Sequence, residues 1–156
     1  MIFSTPPPSL QSALEVSIWS EPVLQPRAGS DLIHTYPVHF VAAAGNSAAD
    51  AGTMSPASEQ SIVTVGAVDR TNKMASFSNF GQVVDIFALG VDVQAAWIGS
   101  PQATRFLSGT SMSSPAVAGT LAVEISKYGQ ASPANLEDSL KKNAKPVVTG
   151  QPEGTT

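Results

Sequence analysis

The chain has 156 residues, 42% of them hydrophobic, and a formal net charge of −4, which fits one modest globular domain. The acidic balance and the lack of a basic run argue against nucleic-acid binding, and no apolar stretch approaches the roughly 20 residues that span a membrane. Because the sequence contains no cysteine, disulfides and thiolate metal sites are excluded.

Residues 1–37 are rich in proline, with three consecutive prolines starting at Pro6. Because proline at this density opposes regular structure, only residues 12–19 are expected to form a short element. The first residues also lack the basic and long apolar regions of a secretory signal. We predict an irregular lead-in over 1–37, a folded domain over 38–150 and a tail over 151–156. A proline-rich ligand for a recognition domain is the alternative for the lead-in.

Four short segments have the composition of β-strands. Residues 39–43 are an unbroken apolar run, of the kind that is buried on both faces in parallel sheets. Residues 61–66, 83–87 and 91–97 are short runs rich in β-forming residues. Helix-like or loop segments separate these runs, and such alternation is typical of an α/β fold. Active-site loops then lie at the carboxyl ends of the strands.

Two helices are predicted in the C-terminal part, over residues 111–128 and 133–143. The second has clear boundary signals, with a serine N-cap, a proline in its first turn and two lysines at its negative end. Leu136 and Leu140 share its apolar face. The apolar stripe of the first helix consists of Met112, Val117, Leu121, Ala122 and Ile125.

Ser111 lies at the predicted start of the first helix, directly after a turn that contains Gly109 and Thr110. A helix N-terminus presents unpaired N–H groups and about half a positive charge, which favours an oxyanion forming beside a serine nucleophile. The alternative is a structural N-cap, since serine is a preferred residue there. A single Gly-x-Ser pattern by itself favours the cap, so the surrounding sequence decides.

Residues 109–119 read Gly-Thr-Ser-Met-Ser-Ser-Pro-Ala-Val-Ala-Gly, which resembles the nucleophile motif of the subtilisin-like serine proteases, the subtilases. Residues 42–47, Ala-Ala-Ala-Gly-Asn-Ser, are similar to the oxyanion-hole segment of that family. The resemblance extends from about residue 41 to about residue 144 and is closest to the proteinase K-like fungal branch. Further blocks in the family's order are Ser-Pro-Ala-Ser at 55–58, Val-Thr-Val-Gly-Ala at 63–67, Phe-Ser-Asn-Phe-Gly at 77–81 and Val-Asp-Ile-Phe-Ala-Leu-Gly at 84–90.

The resemblance implies a subtilisin-like α/β fold with a parallel sheet flanked by helices, here incomplete, without the N-terminal strands and helices. It implies a serine endopeptidase in which Ser111 attacks the peptide carbonyl and Asn46 donates a hydrogen bond to the oxyanion. Ala43, Ala44 and Gly45 correspond to one wall of the pocket for the residue before the cleaved bond. Without the resemblance, the alternative for Asn46 is a turn residue after a strand. The alternative for Ala43, Ala44 and Gly45 is that they only pack within the strand.

The catalytic aspartate and histidine of the family have no counterpart in the sequence. No Asp-Thr-Gly, Asp-Ser-Gly or His-Gly-Thr-His occurs, and the only histidines are His34 and His39. His39 begins an apolar run and His34 lies in an irregular polar stretch, so neither is expected to act as the base for Ser111. We interpret the chain as a truncated endopeptidase. The alternatives are an inactive pseudoprotease that binds peptides and an interaction module that uses the proline-rich N-terminus.

Asp85 aligns with a carboxylate that binds calcium in some proteinase K-like members, together with backbone carbonyls near Gln60 and Ile62. One carboxylate with carbonyls makes a weak site for a hard cation, and a solvated or capping aspartate is the alternative. No cofactor is expected to be required, and structural calcium at Asp85 is optional in this reading. The expected partners of a monomeric chain are protein or peptide substrates, not nucleic acid or a membrane. The family implies an extracellular or vacuolar location.

Overall fold

The computed structural model describes residues 38–155, so the predicted lead-in and His34 lie outside the described residues. No helix within residues 38–155 is long and apolar enough to cross a membrane. The described elements, in chain order, are β1 (Val41–Ala43), a 3-10 turn (Ala51–Thr53), β2 (Val63–Val68), β3 (Ile86–Leu89), β4 (Val93–Ala96), β5 (Thr104–Leu107), α1 (Thr110–Tyr128) and α2 (Pro133–Asn143).

Strands β1, β2 and β3 form a parallel sheet in that order. Val41 pairs with Val63, and Val65 pairs with Ile86. Every residue of β2 is buried, as expected for a central parallel strand that is covered on both faces. The predicted α/β class with a parallel sheet flanked by helices is confirmed, although each of these strands begins slightly later than the apolar runs indicated.

Helix α1 packs across all three parallel strands and buries most of its predicted apolar stripe. Met112 and Ala122 are the exceptions, because both remain only half-buried. Full burial of a leucine, isoleucine or valine side chain stabilises a fold by about 1.5–3 kcal/mol, so this face contributes strongly to holding α1 in place. The core that the sheet forms with both helices consists of Val41, Val63, Val65, Val117, Ala118, Leu121, Ile125, Leu136 and Leu140.

The chain between β1 and β2 covers the opposite face of the sheet. Thr64 in β2 is fully buried, and its hydroxyl donates a hydrogen bond to the carbonyl oxygen of Ala57 at 2.9 Å. Side chains alternate between the two faces of a strand, so Thr64 points away from the core that α1 covers. The smaller core on this side consists of Ala44, Ala51, Ala57 and Val84.

Strands β4 and β5 form an antiparallel hairpin that leads directly into α1. The strand predicted over residues 91–97 is one half of this hairpin, but its partner, β5, was not predicted. The side chains of β5 are exposed except for the half-buried Leu107, so no apolar alternation marks the strand in the sequence. The Arg105 guanidinium lies 4.8 Å from the centre of the Trp97 ring, which is cation–π range.

Helix α2 begins and ends as the boundary signals predicted. The Ser132 side chain accepts a hydrogen bond from the Asn135 N–H at 3.4 Å, Pro133 stands in the first turn, and the helix ends at Asn143. Its buried residues are Leu136 and Leu140, as the spacing predicted. Capping and apolar spacing are local signals, which is why this helix could be predicted closely.

Candidate active site

Hydroxyl side chains near the start of α1 hold the helix against the sheet. Ser113 Oγ donates to the carbonyl oxygen of Ala88 in β3 at 3.0 Å, and Ser114 Oγ donates to that of Val41 in β1 at 3.3 Å. Both serines are almost completely buried. Because these bonds join one helix turn to two different strands, the start of α1 has a fixed position relative to the sheet.

Ser111 differs from these neighbouring hydroxyl residues. It is only half-buried, and within residues 38–155 its hydroxyl makes no hydrogen bond. Its backbone N–H lies in the first turn of α1, where a helix provides no carbonyl partner. The N-cap position belongs to Gly109, so the structural-cap alternative for Ser111 does not hold. Its hydroxyl and N–H are both available to a bound molecule.

Asn46 follows β1 and lies beside the first turn of α1. Its Oδ1 accepts hydrogen bonds from the backbone N–H of Thr110 at 2.8 Å and from the Thr110 hydroxyl at 3.0 Å. Because a backbone N–H can only donate, the amide oxygen must face Thr110 and the Nδ2 group must point elsewhere. The Thr110 hydroxyl also accepts from the Gly45 N–H at 3.1 Å. The structure thus brings Asn46 and Ser111 together, with Thr110 between them.

Asn79 orders the loop that carries Asn46. Its side chain is fully buried, Nδ2 donates to the carbonyl oxygen of Ala44 at 2.9 Å, and Oδ1 accepts from the N–H groups of Ser47 and Ala49 at 2.9 and 3.1 Å. Gly45 has φ +107°, and a Cβ atom there would overlap Asn79 Nδ2. The glycine in this motif is therefore required by close packing against Asn79 as well as by its backbone conformation.

The three small residues assigned to a substrate-pocket wall have different surroundings. Ala44 is fully buried and packs in the smaller core with Ala51, Ala57 and Val84. Ala43 and Gly45 are half-buried at the carboxyl end of β1, next to the loop of Asn46. The pocket wall stays a prediction, and Ala43 and Gly45 are the two residues whose exposure suits it.

His39 is buried away from the nucleophile, as the sequence predicted. Only 6% of its surface is exposed and its Nε2 atom has no hydrogen-bond partner among the described residues. It lines a small cavity with Leu121, Leu136 and Glu137. Burial lowers the pKa of His39, because the charged form loses its hydration. His39 is thus a neutral core histidine, and no described residue offers a base to Ser111.

Asp85 immediately precedes β3, and both oxygens of its carboxylate have partners. Oδ2 accepts from the N–H of Thr64 at 2.7 Å, and Oδ1 lies 2.8 Å from the Lys141 ammonium. Burial lowers the pKa of Lys141, but its hydrogen bonds to Asp85 and Glu137 outweigh this, so that its pKa is above the ordinary value. No group of three or more histidine or acidic side chains in residues 38–155 could hold a metal ion.

The structure is an α/β protein in which a parallel sheet carries a serine at the start of a helix and an ordered asparagine amide beside it. The model of the subtilase family matches residues 9–155, and the chain belongs to this family. The match begins inside the proline-rich segment, so the domain boundary at residue 37 stays a prediction.

The chain is similar to fungal subtilisin-like proteases. It is 56% identical over 103 residues to "Subtilisin-like protease 2" of Pseudogymnoascus destructans, a match that covers 66% of this chain and 26% of that protein. It is 46% identical over 125 residues to a "Cuticle-degrading serine protease" of Arthrobotrys oligospora, which covers 80% of this chain and 30% of that protein. The resemblance to the proteinase K-like fungal branch is confirmed, and the chain spans under a third of these relatives.

The fold is that of a solved relative, a cold-adapted subtilisin-like serine proteinase. The two chains superpose with a TM-score of 0.79 at 38% identity, and the match covers 84% of this chain and 47% of the proteinase. The predicted subtilisin-like fold is confirmed by this likeness, and the described sheet and helices correspond to less than half of that proteinase.

Sequence reasoning missed two residues that position the candidate site. Thr110 was assigned only to a turn, and Asn79 appeared only within a family block. Both are fully buried polar residues, and their partners are up to 65 positions away in the chain. A polar residue inside an otherwise apolar or small-residue motif is the signal that could have singled them out, because such residues must find hydrogen bonds when buried.

Proposed function

We propose that Ser111 and Asn46 are the nucleophile and the oxyanion-hole donor of a serine endopeptidase site. The observation that carries the proposal is the double hydrogen bond from Thr110 to Asn46 Oδ1. These bonds fix Oδ1 on Thr110, so the Nδ2 group of Asn46 points away from Thr110. The loop that carries Asn46 adjoins the free hydroxyl and N–H of Ser111. The membership of the subtilase family, whose relatives are named as serine proteases, supports the same assignment.

Acyl transfer at this site needs a nucleophile, a base and donors for the oxyanion. Ser111 Oγ would attack the carbonyl carbon of the substrate, and the carbonyl oxygen would become an oxyanion. Asn46 Nδ2 and the Ser111 N–H would donate to that oxyanion, in a helix start whose partial positive charge favours it. The proton of Ser111 has no acceptor among the described residues, since His39 is buried elsewhere. The chain by itself is therefore expected to hydrolyse peptides extremely slowly.

The substrates that fit this assignment are proteins or peptides. Ala43 and Gly45 would form one wall of the pocket for the residue before the cleaved bond, where small side chains leave room for a large apolar or aromatic group. Catalysis requires no cofactor in this scheme. Monomeric action and an extracellular or vacuolar location are the expectations that go with the family.

The experiment joins this chain to a catalytic aspartate and histidine. Residues 38–155 replace the corresponding part of the Pseudogymnoascus relative, and hydrolysis of a chromogenic peptide is measured. We expect turnover by the chimera and a loss on the order of 10⁶ in kcat for Ser111→Ala. Ser126→Ala, an exposed serine later in the same helix, is the matched control and should leave turnover unchanged.

Two results would contradict the proposal. One is a Ser111→Ala chimera that keeps the turnover of the parent although circular dichroism shows that both are folded. The other is a folded chimera that binds peptides but cleaves none of them, which would instead favour the pseudoprotease alternative. The unmodified 156-residue chain is measured beside the chimera, and strong hydrolysis that Ser111→Ala abolishes there would contradict the stated need for an added base.

A further inference from the structure

Asp85 is placed by the backbone of the neighbouring strand. Its N–H donates to the carbonyl oxygen of Thr64 at 2.9 Å, and its Oδ2 accepts from the Thr64 N–H at 2.7 Å. The two residues are thus joined in both directions. The remaining oxygen, Oδ1, faces the last turn of α2. The carboxylate is only 15% exposed, and a partly buried charge of this kind needs a counter-charge.

Lys141 supplies that counter-charge. Its Nζ atom lies 2.8 Å from Asp85 Oδ1 and 2.6 Å from Glu137 Oε1, so one ammonium group is shared by two carboxylates. Glu137 is one helical turn before Lys141, and its side chain is 23% exposed. Carboxylate oxygens are also the ligands that calcium takes in proteins, where six to eight oxygens surround the ion.

The residues do not fit calcium while Lys141 is in this position. Calcium binds carboxylate oxygens at about 2.3–2.6 Å, and the ammonium group already lies 2.8 Å from the only Asp85 oxygen that does not face Thr64. A divalent cation on Oδ1 would stand close to the positive charge of Lys141 and would be repelled by it. The two cations therefore compete for the same place.

We propose that the Lys141 ammonium replaces a divalent cation at Asp85. In this chain the lysine pairs with both Asp85 and Glu137, and it joins the end of α2 to the start of β3 without a metal. The proposal concerns stability and cation binding, so it is independent of the role of Ser111. A second consequence follows from the two carboxylates: when the ammonium is removed, Asp85 and Glu137 become available together as ligands for calcium.

The test uses the full chain and the metal ions themselves. Thermal unfolding is followed by circular dichroism in EDTA, in about 10 mM CaCl2 and in the same concentration of MgCl2. This calcium concentration exceeds the dissociation constants of the weakest calcium sites in proteins. The variants are Lys141→Met and, as the matched control, Lys142→Met, the exposed neighbouring lysine in the same turn. Isothermal titration calorimetry with CaCl2 on the parent chain and on Asp85→Asn measures binding directly, whatever the stability of the lysine variants.

We expect the parent chain to show the same Tm in EDTA and in calcium. Lys141→Met should unfold roughly 2–4 °C lower than Lys142→Met in EDTA and should regain part of this difference in calcium. Saturable calcium binding by the parent chain that Asp85→Asn abolishes would overturn the proposal. Equal Tm values for Lys141→Met and Lys142→Met in EDTA would also overturn it.

Discussion

Replacing Asn79 by alanine should unfold the loop of Asn46 at a large cost in stability. The side chain makes three hydrogen bonds, one to the carbonyl oxygen of Ala44 and two from the N–H groups of Ser47 and Ala49. Each is worth about 1 kcal/mol net, and a buried group left without a partner costs about 1–3 kcal/mol. The two bonds from Ser47 and Ala49 account for about 2 kcal/mol. Ala44 is fully buried, so its carbonyl oxygen left without a partner costs about 1–3 kcal/mol, and the loss in the free energy of unfolding is about 3–5 kcal/mol.

Urea unfolding followed by circular dichroism measures this loss. With a denaturant slope of about 1–3 kcal/mol/M, the urea midpoint should fall by roughly 1–5 M. Asn135→Ala is the control, because Asn135 is exposed in the first turn of α2 and its side chain makes no hydrogen bond among the described residues. An exposed change of this kind stays within about 0.5 kcal/mol.

A second variant separates the contacts of Asn79 if the alanine variant does not fold. Asn79→Asp keeps both acceptor bonds and replaces only the donor to Ala44, so it should lose at least about 1 kcal/mol, from that bond and from the buried charge. A free energy of unfolding for Asn79→Ala within about 0.5 kcal/mol of that for Asn135→Ala would refute the assignment of Asn79 to loop stability.

Three other changes test the same region and the core. Thr110→Val removes the hydroxyl between Asn46 and Gly45 and should cost about 1–3 kcal/mol in urea unfolding, whereas Thr120→Val on the exposed side of α1 should cost under about 0.5 kcal/mol; equal losses would contradict the bridging role. Gly45→Ala should cost at least about 1 kcal/mol, because φ is +107° and the new Cβ would overlap Asn79, and an unchanged midpoint would count against it. His39 has a lowered pKa in the folded state, so the unfolded chain binds more protons and stability should fall as the pH drops below about 6.5; a His39→Phe variant with the same pH slope would disprove this.

Local patterns were sufficient to predict most of the fold. The apolar runs indicated β1, β2 and β3, and the capping serine, proline and leucine spacing fixed α2 at Pro133–Asn143. Strand β5 was missed because its side chains are mostly exposed, and a strand without a buried face leaves no period-two pattern to detect. Strand β5 is defined by its antiparallel pairing with β4, and local composition does not encode that pairing.

The candidate site was predicted in part. Ser111 and Asn46 were chosen through the family motif, and the structure places Asn46 beside Thr110, the residue before Ser111. The residues that hold them in place could not be found from local sequence, because Thr110 and Asn46 are 64 positions apart and Asn79 and Ala44 are 35 apart. The pairing of Lys141 with Asp85 was missed for the same reason, since a helix-end lysine is explained equally well by the helix dipole.

The oxyanion-hole assignment of Asn46 is tested most directly by the kinetics of Asn46→Ala in the chimera that supplies a catalytic aspartate and histidine. The account predicts that kcat falls by about 10²–10³, the magnitude established for the equivalent change in a subtilisin, while KM changes little because the contact forms in the transition state. Asn135→Ala should leave both constants unchanged. A folded Asn46→Ala chimera that retains the kcat of the parent would contradict the account.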